Sequence, residues 1–293
     1  MEELASIYTT QNHSLASSTQ VLEETLLLID RQRKNIPFEG IYYGNEFCER
    51  LLPRAGELET VLEETRKKDL SMVLLVPYLT DSGLERLSPL LDILSGSDCC
   101  EVVMNDWGVI RYTRRNFPRI VPVLGRLMSR MMKEVRIKGF LKPGKAPPGA
   151  LSVLRDCGYS NSDYNELLAD NGIGRVELDI PPQGLGVEPA YGVKMSVHIP
   201  FAYVCTGRSC MPGSLNLRPQ QKFTPFTACR TECMRWTLRL RQRHRPPSAE
   251  EQILIQKGNT VYYLEELSLI EDVLTGYEGN GIDRVVVDTN LLS

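Results

Sequence analysis

Residues 72–94 read M-V-L-L-V-P-Y-L-T-D-S-G-L-E-R-L-S-P-L-L-D-I-L, and this stretch decides the fold class. The apolar run at its start predicts a buried strand, and a helix is expected to begin at Asp81 or Ser82. Leucines at helical spacing mark the inner face of that helix: Leu84, Leu87, Leu90, Leu91 and Leu94. An all-apolar strand followed by an amphipathic helix is typical of a parallel sheet covered by helices.

The same strand–helix unit recurs on both sides of this stretch. Mostly helix is predicted over 46–68, and further strands at 40–43, 101–104, 119–123, 175–180, 194–198 and 284–287. A hairpin over 252–264 is expected to turn at Lys257-Gly258-Asn259. We therefore expect an α/β fold: first a complete or broken (β/α) TIM-like barrel with a cysteine-rich C-terminal region, and second an open doubly wound sheet.

Length and composition suit one large domain of this kind. The chain has 293 residues, of which 42% are apolar and 24% charged, and a formal net charge of −3. We expect an N-terminal helical segment over 1–35 and one barrel-like domain over 36–293, whose cysteine region covers 198–240. The first residues lack the pattern of a secretory signal, and no apolar run reaches the roughly 20 residues of a membrane span. The expected location is the cytoplasm, where free cysteines stay reduced unless a metal holds them.

Four cysteines, Cys205, Cys210, Cys229 and Cys233, lie within 29 residues. Thiolates grouped this closely are typical ligands of iron–sulfur clusters or zinc, and the spacing alone leaves the two nearly equal. One helical turn over 229–233 would place two sulfurs on one face, and a Pro-rich loop lets Cys210 fold back to them. The fourth ligand is either Cys205 or Cys48, which follows the first strand and can reach the same end of a parallel sheet.

Three further cysteines are interpreted as structural, whereas two polar residues have both a functional and a structural interpretation. Cys99, Cys100 and Cys157 are expected to be buried reduced thiols. Asp106 follows a strand, where it either binds a substrate or orients a proton, or else caps the next helix. His198 is either a proton donor or partner of a ligand sulfur, or else a core histidine bonded to a carbonyl group.

A basic stretch follows the last of these cysteines. It contains Arg235, Arg239, Arg241, Arg243, His244 and Arg245. The alternation T-L-R-L-R-Q-R predicts a strand with one charged face, which either binds RNA, an acidic partner or an anionic substrate, or is simply solvated. Hydrolytic motifs are missing from the sequence, since it contains neither H-E-x-x-H nor G-x-S-x-G. A peptidase therefore has no support in these residues.

Three stretches resemble the collagenase-like peptidase family of unclassified catalytic type, the group that holds UbiU, UbiV and YhbU. They are I-Y-Y-G-N-E-F-C at 41–48, V-V-M-N-D-W-G-V at 102–109, and H-I-P-F-A-Y at 198–203 with the following G-R-S-C and C-x-x-x-C. The resemblance covers about residues 36–290. It is nearest to UbiV-like iron–sulfur proteins of oxygen-independent ubiquinone synthesis.

The resemblance implies a barrel-like fold and a 4Fe-4S cluster held by Cys48, Cys210, Cys229 and Cys233. Cys205 stays the alternative ligand, because Ser209 separates Arg208 from Cys210 where the family has the two residue types adjacent. The implied activity is oxygen-independent hydroxylation of a quinone precursor, by a hydroxylase or a subunit of one, with the cluster in electron transfer. A UbiU-like partner in a heterodimer and an aromatic or prenylated substrate are implied with it.

Two alternative functions stay open at this point. Relatives in the resembled family hydroxylate tRNA or rRNA bases, so the arginine stretch makes an RNA-modification factor the first alternative, with RNA bound through Arg235, Arg239, Arg241 and Arg243. The second is a non-catalytic scaffold subunit that the cluster stabilises.

Overall fold

The computed structural model describes residues 6–10, 27, 38–98, 101–129, 131–134, 137, 139–141, 145–159, 161–186, 193–222, 229–240, 254–288 and 291. Several sequence expectations lie outside these residues. They concern most of the helical segment expected over 1–35, the thiols Cys99 and Cys100, and the end of the basic stretch at Arg241, Arg243, His244 and Arg245.

Eight parallel strands close into a barrel in the order β1-β12-β7-β6-β5-β4-β3-β2. The strands are β1 (Ser6–Thr10), β2 (Phe38–Gly44), β3 (Ser71–Val76), β4 (Glu101–Met104), β5 (Val121–Leu124), β6 (Arg175–Asp179), β7 (Lys194–Ile199) and β12 (Ile282–Val287). The predicted TIM-like barrel is thereby confirmed. Strand β1 pairs with β2 on one side and β12 on the other, so part of segment 1–35 joins the sheet.

Seven helices are assigned among the described residues. They are α1 (Ala55–Lys67), α2 (Asp81–Ser95), α3 (Trp107–Asn116), α4 (Ala150–Arg155), α5 (Ser162–Asp170), α6 (Met211–Ser214) and α7 (Leu267–Asn280). Helix α2 begins where the sequence predicts, because the Thr80 hydroxyl accepts a hydrogen bond from the Gly83 amide at 3.3 Å. Within the described residues, none of the helices has the length and apolar character needed to cross a membrane.

A second sheet of four antiparallel strands follows the barrel strand β7. It contains β8 (Phe201–Thr206), β9 (Thr237–Leu240), β10 (Leu254–Lys257) and β11 (Thr260–Leu264), in the order β8-β11-β10-β9. The predicted hairpin is confirmed, with Gly258 at φ +62° in its turn. Glycine adopts this left-handed conformation without the steric cost that a Cβ brings.

Alternation along the barrel strands separates two apolar layers. Outward residues such as Leu74 and Val102 pack against the helices, whereas a smaller inner cluster contains Tyr42, Val73, Leu75, Val103, Val123 and Val286. Charged side chains share the interior with this inner cluster. Strand β6, R-V-E-L-D, is buried over its length; its Glu177 contacts Tyr42 across the barrel, and its Arg175 and Asp179 contact Ser196 on β7 and Arg126 after β5. The barrel interior therefore contains both apolar and charged side chains.

Candidate functional site

A cavity of about 130 Å³ lies at the C-terminal end of the barrel strands. Its volume is roughly ten times what a single water requires. Four cysteines line it: Cys48, Cys210, Cys229 and Cys233. They come from two regions that are more than 150 residues apart in the chain, and the barrel brings them together because the C-terminal ends of parallel strands share one face.

Cys48 is positioned by the turn that ends strand β2. Gly44 has φ +112°, and a Cβ there would lie 2.6 Å from the Leu75 carbonyl oxygen, so only glycine fits. The Asn45 side-chain oxygen then accepts hydrogen bonds from the amides of Phe47 (2.9 Å) and Cys48 (2.8 Å). This turn places Cys48 at the N-cap of the short 3₁₀ helix Glu49–Leu51.

Backbone amides point at two of the other sulfurs. Cys210 is the N-cap of α6, and its Sγ accepts a hydrogen bond from the Gly213 amide at 3.4 Å. The Sγ of Cys229 accepts one from the Thr231 amide, also at 3.4 Å. Hydrogen bonds of this kind stabilise a thiolate and are one of the factors that set the potential of an iron–sulfur cluster.

The link between Cys229 and Cys233 differs from the helical turn that the spacing suggested. Thr231 adopts a left-handed conformation with φ 57°, and Cys233 then lies in the 3₁₀ helix Glu232–Met234. The turn still directs both thiols to the cavity.

Asn259 holds the two cysteine-bearing regions together. Its side-chain nitrogen donates hydrogen bonds to the carbonyl oxygens of Phe47 and Gly207, both at 2.6 Å. The Tyr78 hydroxyl donates to the same Gly207 carbonyl at 2.9 Å. Phe47 directly precedes Cys48, and Gly207 lies three residues before Cys210. Through Asn259, the turn of the β10–β11 hairpin therefore joins the two cysteine-bearing regions at the cavity.

Three of the four cavity thiols have a raised pKa, which favours their protonated form. Burial raises the pKa of Cys48, against the backbone amides of Arg50 and Leu51, and neighbouring thiols raise it further. Burial also raises the pKa of Cys210, and it raises that of Cys233 to about 12 with help from the three other cavity thiols. A bound metal reverses this balance, because a coordinated thiol loses its proton.

Buried charges lie at the barrel end of the cavity. The Arg126 guanidinium donates to Glu46 Oε2 at 2.7 and 2.9 Å and to Asp179 Oδ1 at 2.8 Å, and it lies 3.5 Å from Asp288 Oδ2. Lys133 donates to the other Asp179 oxygen. Burial alone lowers the pKa of a guanidinium, but the carboxylates outweigh it and raise the pKa of Arg126. Glu46, Arg126 and Asp288 all line the cavity.

Two acidic side chains near this end have opposite protonation preferences. Burial raises the pKa of Asp179, but Lys133 and Arg126 outweigh it, so the pKa is lowered overall. Burial raises the pKa of Glu265 well above its usual range, and the charge of Asp179 adds to that effect. Glu265 Oε1 accepts a hydrogen bond from the Ile180 amide at 3.1 Å. The surroundings therefore favour the ionised form of Asp179 and the neutral form of Glu265.

His198 lies in the barrel interior and does not line the cavity. It is fully buried, and its Nε2 is 2.7 Å from Glu177 Oε2. The Tyr42 hydroxyl donates to the other Glu177 oxygen at 2.9 Å. His198 therefore has a carboxylate partner, whereas the structural interpretation of the sequence expected a backbone carbonyl. Its contacts with Glu177 and Tyr42 place it in a polar layer below the cavity.

The structure separates the other candidate residues from the cavity as well. Asp106 is the N-cap of α3, where its side chain accepts a hydrogen bond from the Gly108 amide at 2.6 Å. Cys205 is exposed on β8 and is not among the lining residues, whereas Cys48 is. Cys157 is buried and free, as expected, and burial raises its pKa to about 11. Arg235 and Arg239 are exposed beside and within β9.

Among the described residues, no group of three or more histidine, cysteine or acidic side chains is arranged to hold a single metal ion. The four cavity thiols line one cavity. A structural zinc requires four ligands around one ion, with Zn–S distances near 2.3 Å. In an iron–sulfur cluster each thiolate binds its own iron atom, so the ligand sulfurs are spread around the cluster.

The sequence interpretation missed Glu46, Arg126, Asp179 and Asp288. Each lies at or just beyond the C-terminal end of a barrel strand, in the runs Y-Y-G-N-E, V-L-G-R, V-E-L-D and V-V-V-D. Charged residues at these positions of a parallel barrel are a usable signal, because binding sites form there.

Comparisons with known proteins show only distant structural likeness. No protein-family model matches the chain, and no curated protein matches it. One similar solved structure is a glycoside hydrolase family 18 N-acetylglucosaminidase from Paenibacillus barengoltzii, at 9% identity and a TM-score of 0.35 over 97% of this chain and 94% of that one. Another is the spore cortex-lytic enzyme SleL of Bacillus megaterium QM B1551, at 9% identity and a TM-score of 0.37 over 99% and 71%. These likenesses are too distant to carry an argument about function.

Proposed function

We propose that this protein binds a 4Fe-4S cluster through Cys48, Cys210, Cys229 and Cys233 and takes part in an oxygen-independent hydroxylation. The observation that carries the proposal is the shared cavity, which four cysteines from distant regions line together. Cys205 is the alternative ligand by sequence, but its exposed position on β8 favours Cys48.

The donor set of four thiols fits an iron–sulfur cluster, and the family resemblance favours a cluster over a zinc ion. The amides of Gly213 and Thr231 already point at two of the sulfurs. Lys257 and Arg208 line the same cavity and offset part of the negative charge that four thiolates bring.

The position of the cavity supports a role in catalysis over a purely structural one. Parallel barrels bind substrates at the C-terminal ends of their strands, and this cavity opens there. When bound, a cluster supplies one-electron transfer. The protein's own residues supply an apolar wall, from Phe47 and Tyr262, and a charged floor around Arg126. The substrate proposed from the family resemblance is an aromatic or prenylated quinone precursor, with a UbiU-like protein as partner.

Anaerobic purification with iron and sulfide analysis tests the cluster. The wild-type protein should be brown, with iron and sulfide in near-equal amounts, and Cys48→Ala should lose both. Cys205→Ala is the matched control, since it removes a thiol that lies outside the cavity, and it should keep the cluster. Zinc in the purified protein, or loss of colour in Cys205→Ala alone, would reject the ligand set.

Growth of a deletion strain without oxygen tests the reaction. Quinone content should fall under anoxic conditions and stay normal in air, and wild-type protein should restore it while Cys233→Ala should not. Normal anoxic quinone levels in the deletion strain would reject a role in quinone synthesis.

One observation favours RNA hydroxylation as the second candidate. Trp236 is 60% exposed and lies beside the exposed Arg235, where β9 ends the small sheet. An aromatic ring beside arginines can stack on an unpaired base while the cations contact phosphates. A nucleoside missing from the RNA of the deletion strain would support this function, and an unchanged nucleoside profile would exclude it.

A further inference from the structure

Glu46 has a buried oxygen without a partner at the floor of the cavity. Its side chain is 3% exposed, and both Arg126 contacts go to Oε2. Among the described residues, nothing donates a hydrogen bond to its Oε1. A buried carboxylate oxygen left without a donor is costly, so an oxygen of this kind beside a cavity indicates a ligand that completes it.

The charges around Glu46 limit what that ligand can carry. Three carboxylates, Glu46, Asp179 and Asp288, face Arg126 and Lys133, and Lys257 lies near Asp288. Both Arg126 contacts go to the other oxygen of Glu46, so a carboxylate or phosphate against Oε1 would meet a negative oxygen with no cation on it, and this repulsion disfavours it. The open oxygen is an acceptor, so it selects a group that donates a hydrogen bond.

The walls next to Glu46 are apolar and aromatic. Phe47 and Tyr262 line the cavity with their rings edge to face, at a centroid distance of 5.5 Å and an angle of 89°. Leu75 and Leu291 line it as well. Aromatic and aliphatic walls with a few placed polar groups are typical of small-molecule sites.

We propose that Glu46 determines substrate specificity in this cavity, by accepting a hydrogen bond on Oε1 from the hydroxyl of a neutral alcohol or phenol with an apolar body. This inference rests on the proposed function, because it names the substrate class of that same site. The cavity rejects a ligand that presents a carboxylate at the hydroxyl position.

Binding of three probes of one shape tests the inference in wild-type protein. The probes are 4-methylphenol, 4-methylanisole, which lacks the donor, and 4-methylbenzoate, which carries a negative charge. Dissociation constants from ligand-observed NMR titrations should be at least tenfold lower for the phenol than for the other two. Equal binding of the three, a preference for the benzoate, or no binding of the phenol would overturn the inference.

The variant Glu46→Gln tests the assignment to this residue. Its carbonyl oxygen keeps the Arg126 contact, so the amide –NH₂ replaces Oε1 and presents a donor to the cavity. The affinity for 4-methylphenol should fall about tenfold, while that for 4-methylanisole should be unchanged or higher. Glu85→Gln on the exposed side of α2 is the control for the change in charge, and it should bind like wild type. A folded Glu46→Gln that keeps the phenol preference would overturn the assignment.

The probe series tests the role of Glu46, whereas iron and sulfide analysis tests the cluster, so the two proposals can fail independently. If Glu46→Gln does not fold, the wild-type probe series still decides. Selective phenol binding by protein without iron would leave the inference standing and refute the cluster. Iron and sulfide without phenol selectivity would do the opposite.

Discussion

The two ends of the barrel both contain charged residues, but they use them differently. At the N-terminal end, Nη1 and Nη2 of Arg175 donate to the two carboxylate oxygens of Asp283, at 2.6 and 2.7 Å. Arg284 donates to Glu101 at 2.7 Å. At the C-terminal end, Arg126 contacts three carboxylates, and a Glu46 oxygen beside the cavity is left without a donor among the described residues.

This difference separates structural charges from functional ones. At the N-terminal end each acid has a matching cation, and Asp283 and Glu101 keep 26% and 31% exposure, so water also stabilises them. At the C-terminal end Arg126 and the three carboxylates around it are buried, and Glu46 Oε1 has no donor among the described residues. Such an arrangement costs stability and is found where a site must bind something.

Replacement of one arginine at each end gives the largest expected difference. Arg126→Met leaves Glu46, Asp179 and Asp288 buried without their shared cation, and should lower the free energy of unfolding by about 3–5 kcal/mol. Arg175→Met leaves only partly exposed acids, and should cost about 1–2 kcal/mol. Urea unfolding at 25 °C measures both. Equal losses at the two ends would remove the distinction between them.

The polar layer between the ends should respond to acid. Burial raises the pKa of Glu177, but the hydrogen bond and charge of His198 outweigh it and lower the pKa overall. A carboxyl group with a lowered folded-state pKa stabilises above its ordinary value of 4.5 and loses that contribution as the pH falls. Glu177→Gln should therefore be less stable than wild type at pH 7, by roughly 1–3 kcal/mol, and the gap should narrow below about pH 4.5.

Thermal unfolding between pH 3 and pH 7 measures this narrowing. Glu63→Gln, which changes an exposed acid on α1, is the matched control and should follow the wild-type curve. A gap that stays constant with pH would mean that His198 does not stabilise the ionised form of Glu177.

Glu265 should show the opposite and smaller dependence, at the C-terminal end. Burial and Asp179 raise its pKa, so the folded protein holds a proton that the unfolded chain releases above about pH 4.5. The wild type loses stability as the pH rises through this range, and Glu265→Gln does not ionise. The variant should therefore exceed wild type by about 1 kcal/mol at pH 8, and less at pH 5. Denaturant unfolding at the two pH values measures the difference in free energy of unfolding between the variant and wild type. An advantage of the variant that is smaller at pH 8 than at pH 5 would contradict the prediction.

Much of the barrel could be predicted from local patterns. The apolar run at 72–76 and the leucines of α2 are local signals, and the structure has a strand and a helix there. The hairpin turn at Gly258 was likewise visible, because glycine marks a left-handed turn position. The strand Ser6–Thr10 was missed, since its partners β2 and β12 lie at distant points in the chain.

Some residues of the candidate site could likewise be predicted from local sequence, and others could not. The cysteine spacing identified Cys210, Cys229 and Cys233 as one group, since thiols that are close in sequence are close in space. Asn259, which joins the Phe47 and Gly207 carbonyls, was not predictable, because its role depends on contacts across 212 and 52 residues. Arg126 and Asp179 were missed for the same reason.

The amino-acid sequence by itself determined the strand–helix period, the cysteine group and the hairpin turn, because each depends on residues that are neighbours in the chain. Only the tertiary structure decided that Cys48 shares the cavity while Cys205 does not, and that Glu46 lies beside it with one oxygen free of donors among the described residues. The physical reason is barrel closure. It places the C-terminal ends of distant strands around one mouth, and no local pattern encodes which side chains meet there.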